Sequence, residues 1–595
     1  MKKLKIKNLF YIVKPIWEIS PMYVIINVLY TFENIPRRLL DVLIVKYIVD
    51  AAATGTNFGI IVITGVLFLI IELFLVAIKH IFTCWYKTPK EDEIRASIKQ
   101  NLFDKIKKFD IENFDDKEFY DRYTLAFATA DETAFNVFNN MIKLLAAIIS
   151  TTTLLSYIVL LSPLVIVVVL ISSMLSLTSS FVLNKYKVRC KKERILCERK
   201  INYVSGIYSA RQNAADIRMG LITTLLDEFF AKAYKEKIDL EKKYGKKYAI
   251  LNFVFESPLN ISDIFMWLYI AHQIIIGALG TGDFMSLSNA AWSLSQQIRN
   301  IFNVFPKFYE YNLDIENILV LDSYQSKLES SLNVSIKERN PLEIRVENVS
   351  FSYPTKTKNR KEVVNNINFV IKAGEKVALV GHNGAGKSTL VKLILRFYEP
   401  DNGSIYLDGR AYSDYNLKDL RGLFSTVFQD YQYYSFSIAE NILLRSPQDK
   451  YDIQVVESVL KEVGLYDKIH KTPLGVNTQL TKTFDNEGII LSGGELQKIA
   501  IARALAQNTP IIIMDEPSSA LDPLSEREIA DILAKSFKDK MVFIISHRLS
   551  LTKDCNKIMV VDNGDIIEQG CHEELLVHGG KYAQLWEAQS KDYKE

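Results

Sequence analysis

The sequence predicts a two-part fold: an α-helical membrane domain of several spans, then an α/β domain. Three observations predict it. The chain has 595 residues, too many for one domain, and 49% of them are hydrophobic, so an apolar region must be concentrated somewhere. It is concentrated before residue 310, where several stretches approach or exceed the roughly 20 residues that cross a bilayer as a helix. The second half instead carries short buried-strand patterns, Lys376 to Val380, Ile511 to Met514 and Met541 to Ser546, each running into glycine, acidic or histidine residues.

In chain order, residues 1–20 read as an amphipathic helix on the membrane surface, because Leu4 to Trp17 mixes Lys with Ile, Leu, Phe and Trp. Glu18 and Pro21 interrupt the apolar run before any small-residue cleavage site, so a removable signal peptide is not expected. Residues 21–320 hold the expected spans: Tyr23 to Val49, Ile60 to Phe82, Met141 to Leu161, Leu164 to Leu183, Ala249 to Leu279 and Phe284 to Phe305. The second, third and fourth are the clearest; the others carry polar interruptions.

Two long charged segments, Lys87 to Asn140 and Asn184 to Lys247, alternate with very short connections. Their Lys and Arg content, with Lys2, Lys3, Lys5 and Lys7, places them and both termini in the cytoplasm by the positive-inside rule. Lacking Pro or Gly enrichment, they read as helices extended from the membrane, with tips near Phe114 to Arg122 and Ile207 to Asp216. Residues 321–342, rich in Ser, Lys and Asn, read as a linker, and 343–595 as the second domain. A formal charge of +3 is nearly neutral, and with no nucleic-acid-binding motif it points to membrane-facing loops rather than nucleic acid. Cys84, Cys190, Cys197, Cys555 and Cys571 lack metal-ligand spacing and are expected as free thiols.

Chemistry concentrates in the second half. Gly381-His382-Asn383-Gly384-Ala385-Gly386-Lys387-Ser388-Thr389 follows an apolar strand pattern. Glycines there let backbone N–H groups turn inward onto phosphate oxygens, and a helix starting near Lys387 adds its positive end. Lys387 supplies a point charge to the β and γ phosphates and Ser388 a hydroxyl for Mg2+. Asp515 ends the strand Ile511 to Met514 and suits water-mediated Mg2+ binding, while the neighbouring Glu516 is placed to deprotonate an attacking water. His547 follows a further strand pattern.

These motifs, with Leu491-Ser492-Gly493-Gly494-Glu495 between them, stand in one order over about residues 345 to 590 and resemble the ATPase domain of the ATP-binding cassette (ABC) family. The resemblance implies an α-helical six-span membrane domain followed by an α/β P-loop NTPase (ABC ATPase) domain, the exporter architecture, with ATP and Mg2+ as cofactors. It implies further roles: His547 senses the γ phosphate, Gln429 contacts metal and water, and Tyr353 stacks on adenine. Ser492, Gly493, Gly494 and Glu495 would cap the nucleotide of a second subunit, and Asp522 would couple the two sites. Glu495 stands where the family most often has Gln. With Glu516 and the signature both present, a homodimer in the lipid bilayer is favoured over a heterodimer.

The cargo is the least specified part. A finer resemblance of Val427 to Ile442 and Asp485 to Gly488 to Gram-positive lantibiotic exporters implies peptide export without an attached leader-cleaving protease domain. A multidrug or lipid exporter is the alternative. A non-transporting ATP switch is disfavoured by Glu516 and His547, a soluble cassette ATPase by the membrane half, and an importer by the fusion of both halves. Among ionisable residues in the spans, Glu33, Arg37, Arg38, Asp41, Glu72, Glu256 and Asp263 face a cavity or a partner. Arg37 has i,i+4 spacing to Glu33 and Asp41, and an unpaired Glu72, Glu256 and Asp263 would favour cationic or amphipathic cargo over anions.

Overall fold

The computed structural model describes residues 6–220, 222–329, 334–336, 343–353, 362–517 and 523–591. Lys2, Lys3, Lys5, Asp522 and parts of the expected linker lie outside the described residues, as does the side chain of Glu256. The chain separates into two compact units, Met1–Lys107 with Tyr120–Tyr324, and Gln325–Glu595 with Lys108–Phe119.

The first unit is helical. It contains α1 (Ile6–Ile19), α2 (Pro21–Ala53), α3 (Phe58–Ile81) and, after a π turn (Phe82–Lys87), α4 (Thr88–Ile106). The short α5 (Glu112–Asp115) belongs to the second unit. Then come α6 (Lys117–Leu161), α7 (Pro163–Ser209), α8 (Ala214–Arg218), α9 (Thr223–Ile275) and α10 (Thr281–Asp322). Breaks follow local chemistry. Pro21 and Pro163 each sit at the first turn of a helix, where a missing N–H costs nothing but continuation of the preceding helix is blocked. Asn57 caps α3 by accepting from the Gly59 N–H at 2.9 Å.

All six apolar stretches fall in long helices, the second ending one residue past α3, in the π turn, and the fifth four residues past α9. By length and composition two described helices suit a bilayer, Phe58–Ile106 and Lys117–Leu161, and the pair α1 and α2, bent by 111°, would make a third. α3 buries none of its side chains although nearly all are apolar. In water that surface would be strongly unfavourable; facing lipid it is satisfied. Inside the unit, Val42, Leu154, Ile158, Met266, Ile270 and Leu294 pack into one core shared by α2, α6, α9 and α10. α1 is two-sided: Leu9, Ile12 and Ile16 turn inward, while Ile6, Phe10 and Trp17 form a second apolar stripe facing out.

One expectation is corrected here. Arg37 pairs with Glu72 of α3, not with Glu33 or Asp41 on its own helix. Its Nε and Nη2 engage both Glu72 oxygens, and this two-pronged geometry is stronger than the single contact that i,i+4 spacing allows. Glu72 is therefore not an unpaired carboxylate offered to a cationic cargo.

The second unit is α/β. Its elements are β1 (Glu343–Phe351), β2 (Val364–Lys372), β3 (Lys376–Val380), α11 (Lys387–Ile394), β4 (Asn402–Leu407), β5 (Arg410–Ala411), α12 (Leu417–Arg421), β6 (Phe424–Val427), α13 (Ile438–Leu443), α14 (Lys450–Glu462) and α15 (Tyr466–His470). They continue as α16 (Gly493–Gln507), β7 (Ile511–Asp515), α17 (Pro523–Lys535), β8 (Met541–Ile545), β9 (Lys557–Asp562), β10 (Asp565–Gly570), α18 (His572–His578) and α19 (Lys581–Lys591). A four-stranded antiparallel sheet has the order β2-β1-β4-β5, and a six-stranded sheet the order β10-β9-β3-β8-β7-β6, parallel except for β10. β7 and β8 are buried at every residue. Successive side chains point to opposite faces, so Ile512, Met514, Val542 and Ile544 enter one core and Ile511, Ile513, Phe543 and Ile545 the other.

α5 packs within this unit. Tyr398 donates to Asp115 at 2.5 Å, and Asp110 accepts from the Ser326 hydroxyl at 2.5 Å and the Lys327 N–H at 2.7 Å. The short helix between α4 and α6 thus falls at Glu112–Asp115, overlapping only the start of the segment expected as a tip, Phe114 to Arg122. All five cysteines are free thiols.

Candidate functional site

Four parallel strands of the larger sheet deliver their carboxyl ends to one place. β3 runs into Gly381, β7 ends at Asp515, β8 is followed two residues later by His547, and β6 by Gln429. In an open α/β sheet, this edge is where the backbone stops pairing and a ligand can enter.

A cavity of about 460 Å3 lies there, lined by the turn Asn383 to Thr389 and by Val363, Gln429, Glu516, Ile545 and His547. The turn needs its glycines. Gly386 has φ +107°, and a Cβ there would stand 2.7 Å from the Val363 carbonyl oxygen; at Gly381 it would stand 2.1 Å from that of Val561. With those atoms absent the chain curls tightly into α11, whose first residue is Lys387. Lys387 folds back so that Nζ donates to the carbonyls of Gly381 at 2.8 Å and His382 at 2.9 Å. Burial pushes its ammonium pKa down, against the charges of Glu516 and Asp515.

Glu516 is clamped. Gln429 Nε2 donates to Oε2 at 3.0 Å, and His547 Nε2 lies 3.1 Å from Oε1. Its backbone has φ +51°, a left-handed conformation that costs a non-glycine residue energy and turns the side chain out of the strand line. Its N–H still donates to the Ile545 carbonyl at 2.8 Å. Burial lowers the His547 pKa, as does the Lys387 charge, while Glu516 opposes both, so the imidazole is neutral at pH 7 and carries its proton on Nε2 to donate to Glu516.

Asp515 lies beneath the cavity, hydrogen-bonded to Ser388. Burial raises its pKa, the like charge of Glu516 adds to this, and Ser388 and Lys387 only partly offset it. Its charge is thus incompletely compensated by the protein. A serine hydroxyl and an undercompensated carboxylate beside a cradle of backbone donors form an oxygen-rich donor set that fits Mg2+ with a polyphosphate.

Other expected residues stand apart. Tyr353 is not on the cavity wall: its hydroxyl lies 3.2 Å from Thr389 Oγ1 and its ring packs edge-on against Phe351 and Tyr398. Ser492, Gly493, Gly494 and Glu495 begin α16 away from the cavity. The Ser492 hydroxyl accepts from the Glu495 N–H, and the Glu495 carboxylate accepts from the Ser492 N–H. Ser492 and Gly493 are exposed.

Three contacts were not foreseen. His382 Nε2 meets Asp562 at 2.6 Å, Gln497 donates to the Glu516 carbonyl at 3.2 Å, and Tyr431 donates to the Gly493 carbonyl at 2.7 Å. The last ties the Gln429 loop to the start of α16. Tyr431 lies two residues past Gln429, inside the stretch Val427 to Ile442, which was its only sequence signal.

Comparison with known proteins agrees with this geometry. Residues 364–519 match the family model described as ABC transporter. The chain is 34% identical over 344 residues to the "ATP-dependent lipid A-core flippase" of Photobacterium profundum, covering 58% of this chain and 57% of that protein. It is 32% identical over 375 residues to the "Iron-sulfur clusters transporter ATM1, mitochondrial" of Kluyveromyces lactis, covering 61% and 50%. The aligned portions thus span about half the length of these curated relatives. A solved "bacterial Atm1-family ABC exporter with ATP bound" superposes with a TM-score of 0.78 at 22% identity over 95% of this chain and 98% of that one, so the fold of a helical membrane domain followed by an ABC ATPase domain is shared.

Proposed function

We propose that the chain is one subunit of a dimeric ATP-driven exporter, embedded in the cell membrane through six helical spans with both termini and the ATPase domain in the cytoplasm. The observation that carries the hydrolase reading is the Glu516 carboxylate held between Gln429 and His547 at the mouth of a glycine cradle.

In this reading the N–H groups of Gly384 to Thr389 and the Lys387 ammonium bind the β and γ phosphates of ATP. Ser388, Gln429 and Asp515 would hold Mg2+, which when bound neutralises phosphate charge. Glu516 takes the proton of the attacking water, and Gln429 and His547 fix the carboxylate so that its free lone pairs face the cavity. Tyr353 serves as the adenine platform. Ser492 to Glu495, off the cavity wall and with Ser492 and Gly493 exposed, act on the nucleotide of the second subunit, and Asp522 links the two sites. An intact Glu516 and signature favour a homodimer over a heterodimer.

Of the cargo classes, lipid is favoured over peptide: relatives include proteins described as lipid A-core flippases, whereas the peptide reading rests on residues 427–442 and 485–488 alone. The test is translocation by the purified chain in proteoliposomes, with fluorescent lipid and fluorescent peptide as cargo. ATP-dependent movement of either, absent in Glu516→Gln, supports export. ATP hydrolysis that moves neither and is stimulated by neither contradicts it.

A further inference from the structure

The membrane unit contains a second chamber, of about 510 Å3, walled by α2, α6 and α10 with the π turn at one side. We propose that it binds an anionic, hydrogen-bond-rich group of the transported molecule; this rests on the exporter reading. The lining holds four cations, Arg38, Lys87, Lys143 and Lys307, and no carboxylate. Seven side-chain amides join them, among them Asn34, Asn140, Gln297 and Asn300. Such a wall supplies donors in fixed positions around positive charge, which is what a phosphate, sulfate or carboxylate group needs.

Among the described residues, Lys87 is the one chamber cation with an ion pair, and that pair is long. Arg37, beside Arg38, is taken by Glu72, but Arg38 meets the amide oxygen of Gln297 once that amide is oriented to satisfy both groups. Asp41 feels both arginines and is not on the chamber wall. Lys87 lies over the Tyr30 ring at 5.9 Å and pairs with Glu91 at 3.9 Å, a carboxylate shared with the Tyr23 hydroxyl. Among the described residues, Lys143 and Lys307 have no ion pair. Cations such as Lys143 and Lys307, without an ion pair in a membrane helix bundle, are costly to maintain and mark a ligand path.

The three helices agree on direction. Asn27 of α2 contacts Asn139 of α6, and Asn140 contacts Tyr311 of α10, at one end; Arg38 and Gln297 meet at the other. Asn27 and Arg38 are eleven residues apart, or about 16 Å along a helix. In the proposed topology the lysine end opens to the cytoplasm and the arginine end lies deeper. A headgroup or soluble anion would enter past Lys87, Lys143 and Lys307 and reach Arg38. This reverses the cationic preference expected from the acidic residues of the spans.

The test is binding to the full chain in phosphatidylcholine nanodiscs, with labelled triglutamate, labelled trilysine and spin-labelled phosphatidylglycerol as probes. Triglutamate binding identifies a soluble anion, and retention of phosphatidylglycerol over spin-labelled phosphatidylcholine identifies a lipid headgroup. Either is expected to weaken about tenfold in the Lys143→Gln/Lys307→Gln double variant, to recover in the Lys143→Arg/Lys307→Arg variant, and to weaken with salt. Binding of trilysine as tight as that of both anions, or anion binding unchanged in the Gln variant, overturns the proposal. Glu516→Gln is expected to bind the probes like the parent, so a failed hydrolysis reading and a failed anion site are told apart.

Discussion

Replacing His547 by Ala tests how the site holds its base. The His547 Nε2 lies 3.1 Å from one Glu516 oxygen while Gln429 holds the other. A hydrogen bond to a charged group contributes about 1.5–3 kcal/mol, and each 1.4 kcal/mol is about tenfold in rate. The His547 side chain is 37% exposed and that of Glu516 20%, so the lower part of the range applies. The expected result is a fall in ATPase kcat of about 10- to 50-fold, with a smaller change in KM for ATP. The assay is steady-state phosphate release from the purified chain in lipid, over a pH series. Because the imidazole pKa lies below its ordinary value of about 6.5, the neutral form persists through that pH, and activity falls only as pH drops further, when the charged ring keeps its Nε2 hydrogen bond but makes Glu516 a weaker base. The acid limb attributable to His547 is absent in the variant. A kcat within twofold of the parent, or a parent profile that halves above pH 6.5 through His547, refutes the clamp.

Three further outcomes follow from local geometry. Gly386→Ala forces a Cβ to within 2.7 Å of the Val363 oxygen at φ +107°; strain of about 1–3 kcal/mol opens the cradle, and a fluorescent ATP analogue should bind about 5- to 100-fold more weakly. Arg37→Ala leaves Glu72 without its partner between α2 and α3, lowering the thermal transition of the membrane unit, whereas Arg37→Gln with Glu72→Gln should recover most of the loss. Burial pushes the Cys555 thiol up to about 12, so at pH 8 maleimide should label exposed Cys84 and spare Cys555 until the chain unfolds.

The sequence made the strand ends legible because fully buried parallel strands are short apolar runs, and residues just past them, Gly381, Asp515, Glu516 and His547, inevitably share one edge of the sheet. The glycine turn was legible because no other residue can adopt its backbone. Contacts between distant elements were not. Nothing in the spacing of Arg37 points to Glu72, Tyr398 to Asp115 or His382 to Asp562, since each pair is set by how two elements pack rather than by periodicity. The chamber was hidden for the same reason: its cations lie on different helices, and only packing gathers them on one wall.

The most direct measurement of the central claim is single-turnover ATP hydrolysis by the chain in lipid beside Glu516→Gln. The account predicts a loss of about 10²- to 10⁴-fold in the rate of hydrolysis while nucleotide binding persists. Hydrolysis by the variant at the parent rate, or a parent chain that binds ATP and never cleaves it, would contradict Glu516 as the base.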